Sequence, residues 1–211
     1  MKLFYSPGAC SLAPHIALRE ADRRFDLERV DLKSHRTSSG QDYMLINPRG
    51  YVPALRLDGP GSETLFEAQV ILQYIADLAP EKMLAPPQGT FGRYHLQSWL
   101  AFISTELHKQ FSPMFHRPTE AVAAHLRGKI SERFIYLEDV LSDKPCLMGE
   151  RFTVADAYLF VMLQWADRFH IDLQLYPNLD DFEYRVAERP AVQAAMVAEG
   201  LQGRHHWRKT A

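Results

Sequence analysis

Met1-Lys2-Leu3-Phe4-Tyr5-Ser6-Pro7-Gly8-Ala9-Cys10-Ser11-Leu12-Ala13-Pro14-His15-Ile16-Ala17-Leu18-Arg19-Glu20 opens the chain, and its change of rhythm decides the fold. Residues 2–5 form a short apolar run cut off by Pro7-Gly8, which reads as a buried strand ended by a turn. From Ser11 onward Leu12, His15, Ile16 and Leu18-Arg19 recur at helical spacing. The expected start is therefore strand, turn, helix, with a single cysteine, Cys10, at the junction.

The same alternation continues outward. Phe25, Leu27, Val30 and Leu32 lie in a second extended segment, followed by a polar stretch over 34–42 that reads as a loop or short irregular helix. Residues 53–57 read as a strand, Asp58-Gly59-Pro60-Gly61 as a hairpin turn, and 64–66 as the partner strand. At Glu67 the period changes: Ala68, Ile71, Tyr74, Ile75 and Leu78 share one helical face up to Pro80. The order is β-α-β, a connection, then β-β-α. "PEKMLAPPQG" at 80–89 concentrates prolines and a glycine, and no period-2 segment follows it. The expected division is a first domain over 1–80, a linker over 81–89, an all-α domain over 90–202 and a flexible tail over 203–211. The helices of the second domain are placed at 90–115, 119–141, 153–169, 178–189 and 191–199. Thr153-Val154-Ala155-Asp156 reads as a capping box with a short-armed acid, a structural role.

Composition narrows the function classes. The chain has 211 residues, 46% of them hydrophobic, enough to bury a real core. Its 24 Lys and Arg against 26 Asp and Glu give a net charge of −2, which supplies no global attraction to nucleic acid or an anionic membrane. Two cysteines, Cys10 and Cys146, do not make a disulfide scaffold, and free thiols fit a reducing, cytoplasmic setting. No signal-peptide core or membrane-spanning run is present in the sequence. His205-His206 in the basic tail lacks the further ligands of a metal site, so no metal is expected.

Three positions carry chemistry. A cysteine between a strand end and a helix start lies where free backbone N–H groups favour an anion, so Cys10 is a candidate thiolate. The residue three after it is Ala13, not Cys, so any disulfide chemistry needs an external thiol. Pro53 after Tyr51-Val52 lacks a ladder donor and tolerates the cis isomer, which would let Val52 pair with an extended peptide-like ligand; an ordinary trans edge proline is the plainer alternative. Phe66-Glu67-Ala68 joins a carboxylate to free N–H groups at a helix start, able to hold both ends of an α-amino acid, or simply to complement the helix dipole.

Together these signals resemble the thioredoxin-type fold, and with the helical domain behind it a cytosolic glutathione S-transferase. "MKLFYSPGACSLAPHIALRE", "DYMLINPRGYVPAL", "MLAPP", "WLAFISTELHK" and "RFTVADAYLF" are similar to the bacterial beta class across residues 1–201. The resemblance implies glutathione as cosubstrate, no cofactor, a small hydrophobic electrophile as second substrate, and a homodimer. It implies Cys10 and His108 as catalytic residues, Cys10 beside the glutathione sulfur and able to form a mixed disulfide with it. Tyr51, Val52 and a cis Pro53 would hold the cysteinyl backbone, and Glu67 with Ala68 the γ-glutamyl end. Thr105 and His108, three apart on one helical face with Ala101, would be turned toward glutathione. Two departures stand out. His35 takes the place where the class carries a lysine for the glycine carboxylate, with Lys33 or Arg36 as substitutes, and Ala101 replaces an asparagine. Phe115 and Trp165 are the candidates for the electrophile pocket, with Tyr51. Three functions remain open: conjugation, glutathione-dependent thiol-disulfide reduction, and a non-enzymatic interaction protein of the same fold.

Overall fold

The computed structural model describes residues 1–59 and 63–202. Part of the expected turn, Pro60-Gly61, and the tail over 203–211 with His205-His206 lie outside the described residues. The chain divides into two compact units, one comprising Met1–Ala85 with Pro190–Gln202, the other built on Pro86–Arg189.

The first unit is a five-stranded mixed sheet with helices. β1 (Lys2–Tyr5) runs parallel to β2 (Asp26–Asp31), with Leu3 opposite Leu27, and antiparallel to β4 (Ala54–Arg56), with Leu3 opposite Leu55. β5 (Thr64–Phe66) pairs antiparallel with β4. β3 (Arg36–Thr37) pairs antiparallel with β2, giving the order β3-β2-β1-β4-β5. β3 corrects the reading of 34–42 as a loop or irregular helix: two residues with one buried side chain, Thr37, are too short to display alternation in the sequence. Leu3, Phe4 and Tyr5 of β1 are apolar and buried because both faces of the strand are covered. On one face Phe4 packs with Val30, Tyr43, Val52 and Ala54. α1 (Leu12–Glu20) and α2 (Ala68–Leu78) pack on each other through buried stripes that include Ile16 and Ile71.

The second unit is helical: α3 (Phe91–Phe102), a π-helical segment (Ile103–His108), α4 (Lys109–Phe111), a 3-10 turn (Ser112–His116), α5 (Glu120–Val140), α6 (Val154–Arg168) and α7 (Pro177–Ala187). The expected helix over 90–115 is thus interrupted. Thr90 caps α3, its hydroxyl accepting from the Arg93 N–H at 3.2 Å. The capping box of α6 is present, and Asp156 is fully buried, accepting from the backbone N–H of Thr153 and Leu147 and from the Thr153 hydroxyl at 2.7 to 2.8 Å. Burial pushes the Asp156 carboxyl up to about 6, while its donors favour the charged form.

The last helix, α8 (Pro190–Ala198), corrects the expected extent of the helical domain: it belongs to the first unit and packs on α1. The cause is a buried polar tie. Glu199 accepts from the Gly8 N–H at 2.9 Å and lies 2.8 Å from His15 Nδ1, while Arg19 Nε donates to His15 Nε2 at 2.9 Å. Gly8 has φ +69°, a backbone conformation that favours glycine, while a Cβ there would only touch the Leu201 side chain at 3.4 Å.

Candidate active site

Cys10 lies in the turn between β1 and α1, two residues ahead of the helix, which begins at Leu12 after Ser11. Ser11 holds that turn: its buried hydroxyl accepts from the Ser6 N–H at 3.2 Å and donates to the Ser6 carbonyl at 3.3 Å. The Cys10 side chain is 7% exposed, and its thiol donates to the Val52 carbonyl at 3.3 Å. Cys10 and Val52 are 42 residues apart, so β1 and β4, paired side by side, are what bring them together. The Val52-Pro53 bond is cis.

The Tyr51 carbonyl, one residue earlier, accepts from the Tyr43 hydroxyl at 2.8 Å and from Asn47 Nδ2 at 2.7 Å. Tyr43 is fully buried against Phe4, and desolvation pushes its phenol up to about 12, so it remains a donor across the physiological range. The Tyr51 ring, by contrast, is 72% exposed. Tyr43, Asn47 and Ser11 were not singled out in the sequence. Asn47 opens the "NPRGYVP" stretch and so was within reach as a turn residue; Tyr43 had no local signal.

Glu67 stands immediately before α2 with φ 65° and ψ 119°, an uncommon conformation for a side-chain-bearing residue, which costs of order 1–3 kcal/mol and concentrates at ligand sites. The Val70 and Ile71 N–H groups donate to the Glu67 carbonyl at 3.0 Å, and the Ala68 N–H stands ahead of them at the helix start, where a carboxylate can be held. The Glu67 carboxylate is paired with Arg49 at 2.7 Å, and the Arg49 guanidinium sits 5.4 Å over the Phe66 ring. Arg49 was not anticipated as its partner. His35, also at positive φ, lays its ring against Gly50 so closely that a Cβ on Gly50 would stand 2.7 Å from it. His35 Nδ1 is buried and has no hydrogen-bond partner among the described residues. Cys10, Tyr51, Val52, Pro53, Glu67, Ala68 and His35 all belong to the first unit.

Thr105, His108, Phe115 and Trp165 belong to the second. His108 Nδ1 lies 2.7 Å from the Tyr158 hydroxyl, and its ring stands edge-on to Trp165 at 5.2 Å. Burial, with the neighbouring Lys109, lowers its pKa to about 4, so the ring is neutral at pH 7. Thr105 does not share that environment. It is exposed, and its hydroxyl donates back to the Ala101 carbonyl at 3.0 Å. The π-helical segment explains the divergence: its wider i→i+5 turn breaks the one-face relation of residues three apart that a regular helix implies, and such turns gather at functional sites. Phe115 and Trp165 are brought together edge to face at 4.9 Å, with Phe169 against Phe115 at 4.8 Å. Trp165 is buried, and Phe115 is 37% exposed.

Among the described residues no group of three or more His, Cys, Asp or Glu side chains is arranged for a metal ion, and no helix is long and apolar enough to cross a membrane. The N-terminal glutathione S-transferase domain family matches residues 8–78, and the C-terminal domain family matches residues 102–190. The glutathione S-transferase GstA of Escherichia coli O157:H7 is 45% identical over 203 residues, covering 96% of this chain and all of the relative. The bacterial beta class glutathione S-transferase of Sphingomonas chungbukensis superposes with a TM-score of 0.92 at 47% identity, over 96% of this chain and 100% of the other. A sphingomonad glutathione S-transferase complexed with glutathione gives a TM-score of 0.91 at 46% identity, with 96% and 100% covered.

Proposed function

This chain belongs to the glutathione S-transferase family, alongside its bacterial beta class, and from that premise we propose that it joins glutathione to small hydrophobic electrophiles with Cys10 beside the reacting sulfur. The first unit holds glutathione. Val52 offers its main chain to the cysteinyl residue, as an added strand would. Glu67 takes the γ-glutamyl ammonium, sharing or exchanging Arg49 as its partner, and the Ala68 N–H takes the carboxylate. His35, with Lys33 or Arg36 as a substitute, serves the glycine end where the class carries a lysine.

In the reaction the glutathione sulfur, as thiolate, attacks the electrophilic carbon; a C–S bond forms, and a halide or similar group leaves with its bonding electrons. The thiol proton passes to solvent. The Cys10 thiol, donating to the glutathione thiolate, stabilises it, and the Cys10 sulfur, as thiolate, can itself attack a glutathione disulfide, forming a mixed disulfide and releasing glutathione thiolate. His108, neutral at pH 7, contributes as a hydrogen-bonding group rather than as a cation. The carrying observation is the Cys10 thiol against the Val52 carbonyl at 3.3 Å, which sets the thiol beside the backbone that would hold the ligand's cysteine.

Calorimetry with glutathione at millimolar concentration tests the reading, and no binding overturns it. Cys10→Ser then separates the chemistries: conjugation retained with disulfide reduction lost makes conjugation a property of the site and reduction the work of Cys10. We also propose a homodimer in the cytoplasm. Exposed aromatics on α3 and α5 (Phe91, Tyr94 and Tyr136) and two cysteines not joined in a disulfide support these two points. A monomer in sedimentation counts against the first.

A further inference from the structure

Arg168, the last residue of α6, stands over the exposed aromatic ring of the candidate electrophile site. Its guanidinium carbon is 4.9 Å from the centroid of Phe115 and 5.9 Å from that of Phe169. Beneath it the rings are locked edge to face: Phe115 on Trp165 and Phe169, and Phe111 on Trp165 at 5.7 Å. Other arginines of the chain, Arg49, Arg127 and Arg133, pair with carboxylates. Among the described residues Arg168 forms no ion pair, and it is exposed. The acid beside it, Asp167, precedes it on the helix, and successive helical residues do not face each other.

From this juxtaposition of an unpaired guanidinium with a rigid aromatic platform, we propose that the electrophile is a planar conjugated molecule bearing a carboxylate, and that Arg168 selects it. The inference rests on the transferase reading above and names the substrate class of that same site. Held against two rings that stand at 89° to each other, the guanidinium is confined in position, and its N–H edge can meet a carboxylate as a two-pronged fork. The aromatic surface beside it takes the flat carbon frame. Nothing changes in the reaction balance: the C–S bond forms at the activated carbon, chloride leaves with its electron pair, and the carboxylate stays unreacted.

The test uses the full chain with glutathione and two haloarenes of one shape, 4-chloro-3-nitrobenzoate and its neutral amide. Arg168→Met should lower the ratio of kcat/KM for the benzoate over the amide by roughly tenfold, mainly through KM for the benzoate. Arg168→Lys, which keeps the charge and loses the fork, should fall between. An unchanged ratio in Arg168→Met overturns the proposal. If circular dichroism shows that variant unfolded, salt decides on the native chain: KM for the benzoate should rise with ionic strength and KM for the amide should not, and salt indifference of both overturns it. Turnover of the amide without turnover of the benzoate overturns this inference and leaves the transferase reading standing; turnover of neither arene overturns both.

Discussion

At the scale of single residues, the local signals were legible and the tertiary ones were not. Cys10 after Pro7-Gly8, Val52 before Pro53 and Glu67 before an apolar period are each marked by immediate neighbours, and all three stand where strands end or helices begin. Tyr43 carries no such mark, because its partner is a carbonyl eight residues away held by the packing of Phe4, Val30 and Ala54. Its hydroxyl is one of two donors on the Tyr51 carbonyl, so Tyr43→Phe should cost about 1 kcal/mol of stability by urea unfolding. The same variant should weaken glutathione binding severalfold in calorimetry, since the Tyr51–Val52 backbone loses a restraint. His108 sets a pH limit. Unfolded, a histidine takes its proton near pH 6.5; in the fold it does so only near 4. Within that window the unfolded chain binds the extra proton, so stability falls as pH drops from about 6.5 to 4, by about 3 kcal/mol in all. His108→Gln should flatten this part of the stability profile, measured by urea midpoints at pH 7 and 4.5. An unaltered slope would place the acid sensitivity elsewhere.

At the scale of elements, period was a good guide to existence and a poor one to continuity. The long helices α5 and α6 read directly, whereas the π-helical segment at Ile103–His108 did not, because a run of Ile, Leu and polar residues satisfies a regular helix equally well. The interruption matters for the site, since it separates the surroundings of Thr105 from those of His108. The entry into α6 was legible to the residue: Thr153 and Asp156 form the box their spacing announced, and the acid also gathers the Leu147 N–H, which spacing could not reveal. Asp156→Ala should cost 3–5 kcal/mol, roughly the loss seen when a buried charged group is removed from its partners. Three donors, two of them backbone amides, are then left buried without an acceptor. Asp156→Asn keeps one acceptor oxygen and should lose less. Guanidinium titrations of the two variants give the ordering, and equal losses would mean that side-chain volume, not the hydrogen bonds, holds the start of α6.

At the scale of the whole molecule, α8 was legible as a helix, but the unit it joins was not. Its apolar residues Val192, Ala195 and Met196 would serve a helical bundle as well as they serve α1, so composition gives no address. The address is polar. Glu199 is buried with both oxygens committed, one to His15 and one to the Gly8 N–H, two residues from Cys10. A segment nearly two hundred residues along the chain thereby fastens the turn that carries the candidate nucleophile. Removing the carboxylate takes from the buried His15 Nδ1 and from the Gly8 N–H the acceptor they share, which is expensive away from water. Glu199→Ala should therefore destabilise the chain by roughly 3 kcal/mol or more. It should also raise the rate of Cys10 alkylation by iodoacetamide at fixed pH, because a thiol buried in a fastened turn becomes one in a loosened turn. Glu199→Gln retains an oxygen for the Gly8 N–H and should stay near the native alkylation rate while losing part of the stability. Loss of stability in Glu199→Ala with native alkylation kinetics would make α8 a prop for the α1 packing alone, with no hold on the Cys10 turn.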